Sequence, residues 1–139
     1  TGGSAIALGN GYFIEPTIFD QVRPEMTIAK EEIFGPVLAV ISVANSDEAV
    51  EVANATNYGL NASVFTSNLS RAHRMARAIR AGTVTINCYG EGDVNTPFGG
   101  YKQSGFGGRD NSIHAHDQYT ELKTIWVDIS DASVNGAID

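Results

Sequence analysis

The stretch Val37-Leu38-Ala39-Val40-Ile41-Ser42-Val43 is almost wholly apolar and β-branched, the composition of a strand covered on both faces of a parallel sheet. Asn45 or Ser46 caps the next helix, and Asp47 and Glu48 fall in its first turn, where acidic groups suit the positive end of the helix dipole. This helix is expected to reach about residue 56, with Tyr58-Gly59 as its stop, and a second strand spans 62–66. A second helix over 69–81 closes on Gly82. Counting from Arg71, its apolar Ala72, Met75, Ala76 and Ile79 fall at about 100°, 40°, 140° and 80°, one stripe, with Arg71, Arg74, Arg77 and Arg80 on the other side. Those arginines read either as an anion-binding face or as the solvated face that any surface helix carries. Residues 83–88 alternate Val84, Ile86 and Cys88 with polar partners, a third strand. The pattern predicts an α/β fold, a partial open parallel sheet of order β-α-β-α-β with two right-handed crossovers.

Working outward, residues 1–35 are punctuated by Gly9, Gly11, Pro16, Pro24 and Gly35, so short extended pieces over 12–14 and 17–19 are expected rather than helices. Beyond Tyr89 lies a long glycine-rich stretch over 90–108, of the kind that is usually functional or mobile. One or two helical turns over 111–118, a last strand over 120–129 and a disordered tail complete the reading.

Length and composition bound the function. The 139 residues suffice for one domain, and 42% hydrophobic with 18% charged residues excludes a disordered chain. A net charge of −7 repels nucleic acid and anionic membrane, and every apolar run is far short of the roughly 20 residues of a membrane helix. One cysteine, Cys88, makes no internal disulfide, which fits a reducing compartment, so a cytoplasmic location is expected. The start, Thr1-Gly2-Gly3-Ser4-Ala5, lacks a basic leader and an initiator methionine, which points to a processed or truncated product or to a chosen boundary.

Candidate chemistry is sparse. Cys88 at a strand end, with His73, His114 and His116 elsewhere, lacks triad or metal spacing and reads better as a small core residue; no metal site is expected. Gly105-Phe106-Gly107-Gly108 imitates part of a dinucleotide fingerprint but lacks the strand before it and the crossover helix after it. Glu32 and Phe34 are more telling. In an extended piece they project to one side, where a carboxylate accepts both hydroxyl protons of a ribose diol and a ring packs on a flat heteroaromatic. A surface Glu beside a core Phe is the plainer alternative.

Six strings in order, Gly11-Tyr12-Phe13-Ile14-Glu15-Pro16-Thr17, Glu31-Glu32-Ile33-Phe34-Gly35-Pro36, Asn57-Tyr58-Gly59-Leu60, Gly82-Thr83-Val84, Asn87-Cys88-Tyr89 and Pro97-Phe98-Gly99-Gly100-Tyr101-Lys102-Gln103-Ser104-Gly105, carry a family likeness. They resemble the C-terminal third of NAD(P)-dependent aldehyde dehydrogenases, collinearly from Gly9 to Ser130. The resemblance implies a C-terminal fragment: residues 1–119 from the catalytic domain, 120–130 an oligomerisation strand and 131–139 a tail. The cofactor domain, the nucleophilic cysteine and the general-base glutamate would precede it. Cys88 matches a different position, no catalytic residue is carried here, and the fragment alone is expected to be inactive.

By the same resemblance Glu32 holds the nicotinamide ribose of NAD or NADP, Phe34 packs beside the nicotinamide end, Phe98 lines the substrate tunnel, and the last strand joins subunits of a homodimer or tetramer. At the tunnel mouth Glu91-Gly92-Asp93 replaces apolar bulk with two carboxylates. Stretches 97–110 and 119–126 are most similar to bacterial enzymes of putrescine breakdown that oxidise γ-glutamyl-γ-aminobutyraldehyde, with an extra glycine in Gly107-Gly108-Arg109-Asp110. Glu91 or Asp93 would then steer the amino group of an ω-amino or γ-glutamylamino aldehyde, the alternative being a solvated acidic loop. A non-catalytic association module that retains part of the fold is the competing function.

Overall fold

The computed structural model describes residues 1–90 and 92–128. In chain order its elements are β1 (Ala5–Ile6), β2 (Phe13–Ile14), β3 (Thr17–Phe19), a single helical turn α1 (Thr27–Lys30) and β4 (Val37–Ala39). Then come α2 (Ser46–Asn54), β5 (Tyr58–Gly59), β6 (Asn61–Val64), α3 (Leu69–Ala78), β7 (Thr83–Ile86), β8 (Tyr101–Lys102) and a 3-10 helix over Ile113–Gln118.

The two main helices begin where the capping chemistry places them. Asn45 Oδ1 accepts from the amides of Asp47 and Glu48, and Glu48 Oε2 reaches back to accept from Ala44 N, a reciprocal cap. Asn68 Oδ1 accepts from Arg71 N at the start of α3. The predicted stripe is realised within α3: Ala72 is 1% exposed, Met75 and Ala76 are half-buried, and Arg71, Arg74 and Arg77 are exposed. α3 packs on β6 and β7, and the core sits there, on Val64, Ala72, Ala81 and Thr85.

β6 and β7 pair in parallel across α3, from Asn61 opposite Thr83 to Val64 opposite Ile86. Asn87 locks the open end of this ladder, its side-chain amide accepting from Thr66 N and donating to Thr66 O. The fold class is α/β as expected, but the sheet is not one piece. β4 pairs in parallel with β3, Thr17 opposite Val37, and not with β6. A crossover sets strand direction, not adjacency, and β4 spends its edge on a strand whose sequence reads only as an irregular extension.

Five further expectations change. The single turn α1 forms over Thr27–Lys30, in a segment expected to hold extended pieces rather than helices. α3 ends at Ala78 with Ile79 already extended, so Gly82 is not its stop. Its smallness serves a close approach instead, since a Cβ at Gly82 would overlap the carbonyl of Gly99. Tyr58-Gly59 does not simply end a helix but forms β5, antiparallel to β8. The apolar run 37–43 is not covered on both faces: Leu38, Val40 and Val43 are exposed. Residues 120–128 are assigned to no strand, while 129–130 and the tail lie outside the described residues.

This surface is far from self-contained. The chain exposes 11339 Å², against roughly 7000 Å² expected of a folded monomer of 14.8 kDa. Among the exposed side chains are Phe19, Ile33, Phe34, Leu122, Ile125 and Trp126. No helix among the described residues is long and apolar enough to cross a membrane.

Candidate functional site

The segment between α1 and β4 builds the first corner of the site. Glu31 N donates to Thr27 O, closing α1, and Thr17 N donates to Pro36 O, pinning the far end to β3. Between these anchors Phe34 adopts φ 55°, left-handed backbone that costs an aromatic residue of order 1–2 kcal/mol. The ring is 92% exposed. This kink replaces the extended piece expected over 32–34, yet Glu32 and Phe34 still line one cleft of about 330 Å³ together with Ile28, Val37 and Ala39. Among the described residues nothing donates to the Glu32 carboxylate, so its lone pairs are available to a ligand.

Glu32 also lines a second cavity, of about 380 Å³, walled by Thr56, Tyr58, Leu60, Asn61 and Ser104. Asn61 belongs at the same time to a third, of about 410 Å³, walled by Thr83, Asp93, Pro97, Phe98 and Asn111. Phe98 is held there by a reciprocal backbone pair with Asp110, N–O 2.8 Å and 2.6 Å. The structure thus brings Glu32 and Phe34 together, brings Asp93 and Phe98 together, and joins the two pairs through the wall at Asn61.

Asp93 is partly committed. Its Oδ1 accepts from the backbone and side-chain amides of Asn95, an Asx turn that shapes the loop and leaves Oδ2 for other donors. Glu91 lies outside the described residues. Cys88 is half-buried, its carbonyl accepting from Thr85 Oγ1, and no group of His, Cys, Asp or Glu able to hold a metal occurs among the described residues. Arg109 lies 5.5 Å over the Tyr101 ring at its guanidinium carbon, a cation–π contact across the glycine-rich loop.

Two residues of the site escape sequence reasoning: Asn61, the wall shared by two cavities, and Ser104, whose Oγ accepts from Gly59 N. Asn61 carries no local signal. Ser104 lies inside the last of the six family strings, but its partner is 45 residues away.

The pattern of the aldehyde dehydrogenase family matches residues 1–125, and the chain belongs to that family. It is 62% identical over 120 residues to an aminoacetaldehyde dehydrogenase of Pseudomonas aeruginosa, covering 86% of this chain and 24% of that protein. Among solved structures it is similar to a P. syringae indole-3-acetaldehyde dehydrogenase in complex with NAD+, with TM-score 0.86, 55% identity and coverage of 93% and 26%. A γ-glutamyl-γ-aminobutyraldehyde dehydrogenase of Burkholderia cenocepacia gives TM-score 0.83 at 59% identity, with coverage of 88% and 25%. The chain therefore spans about a quarter of the length of these relatives.

Proposed function

We propose that these residues serve an NAD(P)-dependent aldehyde dehydrogenase that oxidises an ω-amino or γ-glutamylamino aldehyde to its carboxylate. The observation that carries the reading is the cleft in which an uncommitted carboxylate, Glu32, sits beside an aromatic ring held outward on strained backbone, Phe34. These groups fit a nicotinamide ribose: the carboxylate accepts from two vicinal hydroxyls, and the ring offers a flat apolar face. The nicotinamide, when bound, supplies the hydride acceptor. Phe98 forms an apolar wall that keeps water from one side of the aldehyde, and Asp93, lining the same cavity, supplies negative charge for a substrate ammonium. The cysteine and glutamate that complete the family reaction match positions outside these 139 residues. The aminoacetaldehyde and γ-glutamyl-γ-aminobutyraldehyde activities for which two relatives are named support the substrate class.

The test uses the chain extended upstream to the length of its relatives, with NADH formation as the readout. Exchanging Glu91 and Asp93 for Gln and Asn is expected to raise KM for an aminoaldehyde about three- to tenfold, as for loss of partly exposed ion pairs, and to leave an uncharged aliphatic aldehyde unaffected. Equal changes for both substrates would remove the proposed charge steering.

Self-association is part of the same proposal. Residues 121–127 present Leu122, Ile125, Trp126 and Val127 to solvent without strand partners, and an apolar segment of this kind is completed by the edge of another chain. Sedimentation of the 139-residue chain is expected to give a dimer or larger species; a monomer at every concentration would contradict it.

A further inference from the structure

α2 ends without a basic residue in its last turn and with Ala55 as its cap, so its carbonyls lack the cation that a helix C-terminus favours. That cation arrives from far along the chain. Lys102 Nζ donates to Asn54 O at 2.9 Å and to Thr56 O at 2.8 Å, across separations of 48 and 46 residues. The lysine is half-buried and holds φ 52°, a left-handed conformation that a non-glycine residue keeps only where its surroundings compensate.

The ties continue in register. Gln103 N donates to Asn57 O at 3.0 Å, and Gly59 N donates to Ser104 Oγ at 3.1 Å, so residues 102–104 grip 54–59 at each step. The gripped turn is a wall of the cavity that Glu32 also lines, through Thr56, Tyr58 and Gly59. Phe98, on the other side, is held independently by its backbone pair with Asp110.

We propose that Lys102 is a positioning residue for the nucleotide side of the site: by clamping the turn 54–59 it sets the wall against which Glu32 works. This rests on the functional reading above and adds to it an asymmetry between the two ligands. Loss of the ammonium frees the turn but leaves the Phe98 wall in place, so nucleotide binding suffers and aldehyde binding does not.

In the chain extended upstream, Lys102→Met is expected to raise the nucleotide KM about tenfold, modest beside the roughly 10²-fold cost of a 1 Å misplacement. The aldehyde KM should stay within about twofold of the original. Lys102→Arg, which keeps a cation and donors there, should recover most of the difference, and hydrogen exchange should quicken at the amides of 55–60 in the Met variant alone. A lowered melting temperature with unchanged nucleotide KM, or an equal rise in both KM values, would reduce Lys102 to a general structural role. Should the unsubstituted protein fail to bind nucleotide at all, the functional reading itself falls; should it bind and Lys102→Met bind equally, only the present inference does.

Discussion

Gly82→Ala is expected to destabilise the protein by about 3 kcal/mol or more, since overpacking against rigid backbone exceeds the usual cost of a tight core substitution. Its added methyl would overlap the carbonyl oxygen and carbon of Gly99, main-chain atoms with no rotamer to yield. The strand cannot move away cheaply, because Gly82 N donates to Gly59 O and Ala81 beside it is buried. Gly92→Ala is the matched control. A Cβ there meets nothing within 4 Å, so its effect should stay within about 0.5 kcal/mol. Thermal unfolding followed by circular dichroism separates the two. Equal melting temperatures for both variants would mean that the approach of Gly82 to Gly99 does not occur in solution.

Glu32→Gln is expected to weaken nucleotide binding by roughly 10- to 100-fold in the chain extended upstream, as a charged acceptor of two hydroxyl protons becomes a neutral one. Stability should hardly change. Glu32 is exposed and nothing among the described residues donates to its carboxylate, so no folded-state contact is lost. Titration calorimetry with NAD+ provides the number, and a dissociation constant within about twofold of the original would remove Glu32 from the cofactor site. This split between binding and stability separates a ligand-facing carboxylate from an ordinary surface one.

Much of the architecture is legible in the order of the amino acids. The amphipathic stripe of α3 and the acidic start of α2 are local patterns with direct physical causes, and the alternation over 83–88 marks β7. The family strings draw attention to Glu32, Phe34 and Phe98 by resemblance. Residue spacing alone leaves the Glu32 and Phe34 pair undecided, because the same letters describe a surface acid beside a core ring.

What the chain of residues determined by itself is therefore α2 with its cap, the start of α3 and its stripe, the β6-α3-β7 unit and the family. The tertiary structure alone decided that β4 pairs with β3, that Tyr58-Gly59 and Tyr101-Lys102 make a ladder, and that Gly82 serves a close approach rather than a helix stop. It also decided that Phe34 leaves the extended conformation and that Lys102 caps a helix 46–48 residues away. The division follows from range. Periodicity and capping act within a few residues and leave their mark in the letters, whereas strand partners and backbone approach are contacts between distant segments, selected by packing that no local window contains.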